Sequence, residues 1–196
     1  MREESLLSLE ALDPKKQLAF ALLIFERMLP SLKAFSKDTG FDGACYLQAR
    51  DAAWAALENS VAGRASGKAL SQTCLRMAPD TEKFSHDLTS FALNAALAMS
   101  DIAEFMLDYR VDHIADISTL ARDSVYLYLG SLDLSVATPP DEDSKIASHP
   151  LMRQEENLEE EDIRFLSDLP DDFNKTVISA LKERARNQAP LFPLAH

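Results

Sequence analysis

Five glycines in 196 residues are too few for a protein built from hairpins and tight turns, because those turns rely on residues that tolerate left-handed backbone. Two cysteines, Cys45 and Cys74, without a Cys-x-x-Cys pair or a matching histidine spacing, exclude a disulfide framework and a zinc site. Reduced, partly buried thiols are expected. No long hydrophobic run exists either. The longest, Leu18 to Phe25, falls well short of the roughly 18 apolar residues that suggest a membrane-spanning helix. The opening Met1-Arg2-Glu3-Glu4 puts acids where a secretory signal needs an apolar stretch, so a cytoplasmic location is expected. Basic residues are also scarce, 20 against 32 acids for a net charge of -12. That balance repels phosphate backbones and anionic headgroups, which argues against nucleic acid and membrane as partners.

What the chain does contain favours helices. Hydrophobic residues make up 46% and charged residues 27%, a globular composition able to bury a substantial core. Abundant Ala, Leu, Glu and Asp set the expectation of one all-α domain over 1–196. Asp13-Pro14 reads as an N-cap and a first-turn proline. Leu18, Leu22, Phe25 and Leu29 then recur at helical spacing, and Phe20, Leu23 and Ile24 fill the other faces. This helix should be buried nearly all round, at the centre of a bundle. Pro30 is expected to kink or restart it, and Gly40 to close the second piece.

A helix from Asp42 to about Glu58 carries Tyr46, Ala49, Ala53, Trp54 and Leu57 inward, residues 61–68 read as a turn, and a short helix runs from about Lys68 to Met77. The clearest periodicity is Leu88, Phe91, Ala95, Met99, Ile102 and Met106, whose flanking alanines invite close approach of a neighbouring backbone. A tight joint at Arg110-Val111-Asp112 leads into a helix reaching about Leu132, forming an antiparallel hairpin. Residues 135–150, with Thr138-Pro139-Pro140 and Asp141-Glu142-Asp143, read as a flexible acidic linker. Two final helices, Leu151 to Leu169 and Phe173 to Asn187, are separated by Pro170 and capped at Asp171 or Asp172. The apolar tail 189–194 should lie against a surface of this chain or another. About seven or eight helices result.

Charge concentrates late. Residues 141–172 hold twelve acids and three bases, net -9 of the -12, which reads as a solvated acidic face or a docking surface for a basic partner.

Three groups of residues offer chemistry. Asp101 and Glu104 lie on the polar side of the alanine-rich helix, and Glu155-Glu156-x-x-Glu159 resembles the first carboxylate motif of all-α nucleoside-triphosphate pyrophosphohydrolases. The second motif has no intact counterpart, since Asp168-Leu169-Pro170-Asp171 spans a helix breaker. Asp112-His113-x-x-Asp116 puts His113 and Asp116 one turn apart, although capping alone accounts for acids in a first turn. Glu26-Arg27 follows the most apolar helix of the chain, and either charge needs a partner if buried. With Trp54 they form the candidate ligand-binding set. No Gly-x-Ser-x-Gly, phosphate-binding loop or Cys/His arrangement occurs, so nothing points to nucleophilic catalysis or to a cofactor.

The run Phe25-Glu26-Arg27-Met28-Leu29-Pro30, with Phe35, Thr39-Gly40-Phe41 and Trp54, resembles the YjaG-like family of bacterial proteins, a domain of unknown function. The similarity continues through the helix near Asp101, the Tyr126 helix and His149-Pro150. It implies an all-helical bacterial cytoplasmic protein and supplies no reaction or site residue.

The leading functional reading is a noncatalytic interaction or regulatory module, with a protein partner or a homodimer as its expected association. The second is a metal-dependent hydrolase drawing carboxylates from Asp101, Glu104, Glu155, Glu156 and Glu159. The third is small-ligand binding beside Glu26, Arg27 and Trp54.

Overall fold

The computed structural model describes residues 3–58, 63–132, 146–171 and 173–194. Among these the chain is all-helical, in the order α1 (Glu3–Glu10), α2 (Pro14–Thr39), α3 (Ala44–Glu58), α4 (Gly63–Arg76), α5 (Thr89–Asp108), α6 (Val111–Ser131), α7 (Pro150–Asp168) and α8 (Lys175–Asn187). Helix α2 is the axis of the bundle and packs against α3, α5, α6, α7 and α8. Every residue from Lys16 to Phe25 is buried, as expected for a helix with apolar residues on all faces.

The two polar members of that stretch are held by backbone oxygens. Lys16 Nζ donates to the Leu169 carbonyl at 2.7 Å and Gln17 Nε2 to the Leu9 carbonyl at 3.0 Å. These bonds fasten α1 and the end of α7 to the first turn of α2. Helix α1 was not anticipated from periodicity: it is short, and buries Leu9 while Leu7 stays exposed.

The caps expected for α2 are present. The Asp13 carboxylate accepts from Lys15 N–H at 2.9 Å, and Gly40 closes α2 at φ 73°. Phe41 then folds back onto Phe35, with ring centroids 5.3 Å apart. The α5–α6 hairpin turns at Tyr109, which takes the left-handed conformation at φ 59° while its N–H donates to the Phe105 carbonyl.

Four expectations need correction. Pro30 does not divide α2, which runs on to Thr39. A proline inside a helix costs about 3 kcal/mol, but burial on both sides of it outweighs that loss. The Leu191 N–H also donates to the Arg27 carbonyl at 3.3 Å, one residue past the carbonyl that Pro30 leaves without its helical donor. The apolar tail thus lies on its own chain. Phe192 stacks on Tyr128 with centroids 4.7 Å apart and packs equally close to Phe91.

The second correction concerns residues 61–68. Residues 61 and 62 lie outside the described residues, but α4 begins at Gly63, so Gly67 is helical. A Cβ built on Gly67 would stand 2.8 Å from the Ala103 carbonyl oxygen and 2.9 Å from Leu107. The glycine serves close packing of α4 on α5, against the alanine-rich face. Gly67→Ala is therefore expected to destabilise the protein by about 2 kcal/mol through overpacking, despite alanine's better helix propensity, as read by urea denaturation.

Third, residues 135–145 of the expected linker lie outside the described residues, but 146–148 form a helical turn that buries Ile146 in the core. Fourth, α8 is capped by Asn174, whose side chain accepts from Thr176 and Val177 N–H, and not by Asp171; Asp172 lies outside the described residues. Helix α5 is long and apolar enough to cross a membrane by length and composition. Its apolar stretch is 61% buried against neighbouring helices, which is where a central bundle helix belongs.

Candidate functional site

The largest surprise is on α7. The acids Glu155, Glu159 and Asp162 are 2%, 3% and 0% exposed, so the acidic helix turns three carboxylates into the protein. They share a face with Met152, Ile163 and Leu166, at the i, i+4, i+7 spacing of a core stripe.

Their counter-charge is Arg27. Its Nε and Nη2 donate to Glu155 at 3.0 and 2.6 Å, and its Nη1 donates to Asp162 at 2.8 Å and to the Gln188 side-chain oxygen at 2.9 Å. The two-pronged match to Glu155 uses the planar fork that only arginine offers. Asp162 also accepts from Arg184 Nε and Gln188 Nε2, each at 2.6 Å. Burial acts against the guanidinium charge, but Glu155 and Asp162 outweigh it and raise the Arg27 pKa. Glu159 accepts from Ser118 Oγ on α6. Burial first, and the neighbouring Glu155 second, push its carboxyl up to about 7 against the opposing pull of Ser118, Arg122 and Arg27. Among the described residues no buried side-chain nitrogen or oxygen lacks a partner. The network is closed, and it joins α2, α6, α7, α8 and the tail.

Arg27 consequently leaves the expected ligand-binding set, because its side chain has no exposed surface and four of its five N–H donors are engaged inside the protein. The space beside Pro30 is filled by Leu191, Phe192 and Leu194 and has no volume for a water-sized molecule. Glu26, one residue earlier and hence about 100° around the helix, faces a different side of it. It accepts from Trp54 Nε1 at 2.9 Å and stands 3.7 Å from Arg50 Nε.

These two residues border a cleft of about 360 Å³ between α2, α3 and α8, lined by Glu26, Arg50, Asp51, Trp54, Lys182 and Arg186 among others. Arg50 also donates to Asp51, Lys182 pairs with Glu58 at 3.2 Å, and the Lys182 ammonium lies 5.8 Å from the centre of the Trp54 ring. Lys182 and Arg186, from the far end of the sequence, were missed; their i, i+4 spacing on the final helix was the available hint.

The five carboxylates of the hydrolase reading do not converge. Asp101 and Glu104 are on α5, where Glu104 accepts from Ser71 of α4. Burial, reinforced by Asp116 and Glu104 and opposed by His113, pushes Asp101 up to about 6. Glu155 and Glu159 are across the bundle in the Arg27 network, and the described residues contain no group of three His, Cys, Asp or Glu placed to hold a metal ion. His113 pairs with Asp108 at 3.2 Å, a contact across the hairpin turn, where the candidate partner by spacing was Asp116. His86 and His149 each accept a backbone N–H through Nδ1 at a helix start. Neither cysteine is poised as a nucleophile: burial pushes Cys74 up to about 12, and burial followed by the nearby Asp42 raises Cys45.

A family model described as "Protein of unknown function (DUF416)" matches residues 5–189. The chain belongs to the DUF416 family. Its fold is also that of a DUF416 family protein from Shewanella baltica OS155, known from a crystal structure at 1.91 Å resolution. The two align with a TM-score of 0.80 at 20% identity, over 92% of each chain. No curated protein matches the sequence. The family and its fold are thereby established, and DUF416 membership assigns no reaction.

Proposed function

We propose that this DUF416 protein is a noncatalytic binding module that takes a small ligand in the cleft beside Trp54. The observation that carries the reading is the convergence of charged side chains from three helices around a tryptophan whose N–H is already engaged by Glu26. Ligand sites are concave and combine an apolar or aromatic surface with a few placed polar groups, and this cleft has both.

The competing readings have less support. A docking surface made of the acidic C-terminal third loses Glu155, Glu159 and Asp162 to the interior. A metal-dependent hydrolase would need carboxylates gathered from different elements around one point, whereas Asp101 and Glu104 are separated from Glu155 and Glu159 by the bundle. Regulation of a protein partner remains the natural output for a binding module without catalytic groups, in a bacterial cytoplasm as its setting. Self-association into a homodimer is a separate expectation, read by light scattering.

Trp54 is the sole tryptophan, so its emission reports on the cleft. A chemically diverse panel of small metabolites, screened by thermal shift and tryptophan emission, should yield compounds that perturb both. Ala55 is exposed on the cleft wall, and Ala55→Phe should fill the space without disturbing the core. Compounds that bind the parent protein and not A55F support the reading; compounds that bind both equally, or an empty screen, overturn it.

A further inference from the structure

We infer that the ligand of this cleft is a small zwitterion, carrying an ammonium and a carboxylate within a molecule about the size of a dipeptide; the inference rests on the binding role proposed above. The argument starts from how the charges are distributed. Helix α8 contributes only cations, Lys182 and Arg186, while Glu26, Asp51 and Glu58 come from α2 and α3. Arg50, the remaining cation, is drawn between Glu26 and Asp51, 3.7 and 2.7 Å away. One side of the cleft is therefore acidic with its single cation neutralised, and the other is basic.

Arg186 sharpens the assignment. Lys182 already has Glu58 at 3.2 Å, but Arg186 is exposed and has no carboxylate partner among the described residues. Its five N–H donors suit a carboxylate, which they can hold in a fork. On the opposite side, three carboxylates share one guanidinium and one ammonium, leaving acceptor capacity for a ligand ammonium.

A ligand of one charge would meet repulsion from one wall. A neutral apolar ligand would strip water from six ionised groups without replacing those hydrogen bonds. Only a molecule bearing both charges satisfies both sides. The size follows from the volume, about 360 Å³, near the lower end of the roughly 300–1,000 Å³ of small-molecule sites. Ala55 and Ala185 line the space between the charged walls and suit a short aliphatic body there.

The probe is L-alanyl-L-alanine, compared with its N-acetylated and C-amidated forms and with inorganic phosphate, by tryptophan emission and calorimetry on the full chain. The zwitterion should bind saturably, and each capped form about tenfold or more weakly, which is the loss of about one charge-assisted contact. Arg186→Ala should weaken the zwitterion about tenfold and leave the amidated dipeptide unchanged. A purely structural role for Arg186 would move both equally, and that result overturns its assignment. Capped dipeptides or phosphate binding as well as the zwitterion, with binding lost in A55F, would overturn the ligand class and leave the binding role standing. Absence of binding by the probes, with other hits from the metabolite panel still lost in A55F, has the same meaning. Absence of any A55F-sensitive ligand removes both.

Discussion

Replacing Arg27 with alanine is expected to cost the fold about 3–5 kcal/mol, measured as a shift in the urea or guanidinium midpoint at pH 8. The loss arises less from the ion pairs than from what remains behind. Glu155 and Asp162, 2% and 0% exposed, would be left in a water-poor interior without the guanidinium that now donates three hydrogen bonds to them and a fourth to Gln188. Arg27→Lys should recover little, since an ammonium cannot span Glu155 in a fork and reach Asp162 together. Neutralising the partners is the informative control. In an Arg27→Met, Glu155→Gln, Asp162→Asn background, much of the stability should return, because a buried charge network is worth little relative to a neutral replacement of similar volume. If R27A alone unfolds at the parent midpoint, the network is not buried as described.

The second large effect is a stability that falls as pH rises. The Glu159 carboxyl is pushed from an ordinary 4.5 up to about 7, so the folded chain holds its proton where the unfolded chain has released it. The contribution is complete below about pH 4.5 and is lost progressively up to about pH 7, at about 1.4 kcal/mol per unit, or about 3 kcal/mol in all. The groups that set this window are Glu155 on its own helix, Ser118 and Arg122 on α6, and Arg27 on α2. Asp101 adds a contribution of the same sign between its ordinary 3.8 and about 6, reduced by its partial access to solvent. Denaturation midpoints across pH 5 to 8 should therefore decline. Glu159→Gln keeps an oxygen for Ser118 and carries no charge, so its profile should be flatter and its stability at pH 8 should exceed the parent's. A parent profile that rises over the same interval would contradict the assignment.

Much of the architecture is carried by local pattern. Asp13-Pro14, Gly40, the stripe from Leu88 to Met106 and the joint at Val111 are determined by capping, backbone freedom and helical period, all of which act over a few residues. The errors came where distant contacts decide. Pro30 reads as an end because its own backbone disfavours helix, and the packing that overrides this comes from five other helices and the tail. Gly67 reads as a turn because glycine permits one; its reason is the Ala103 carbonyl across the α4–α5 contact.

The acids of α7 are the most instructive case. Counting apolar residues finds Met152, Ile163 and Leu166 and sends the carboxylates outward, yet Glu155, Glu159 and Asp162 occupy positions of that same stripe. A buried Arg27 was recognisable in principle as a residue in need of partners, but its partners are 128 and 135 positions away. The cleft was half legible: Glu26 and Trp54 belong to one recognisable run of sequence, whereas the basic wall on α8 is set by tertiary packing.

That separation between Arg27 and its partners also governs how the chain can be made. Synthesis runs from the N-terminus, so α2 emerges with its guanidinium and its all-round apolar surface long before Glu155, Asp162 and Gln188, the last of them 161 positions away, have left the ribosome. Helix α2 cannot reach its native setting while the chain is being extended, and the nascent protein has to carry its longest apolar run incompletely covered until the closing helices arrive.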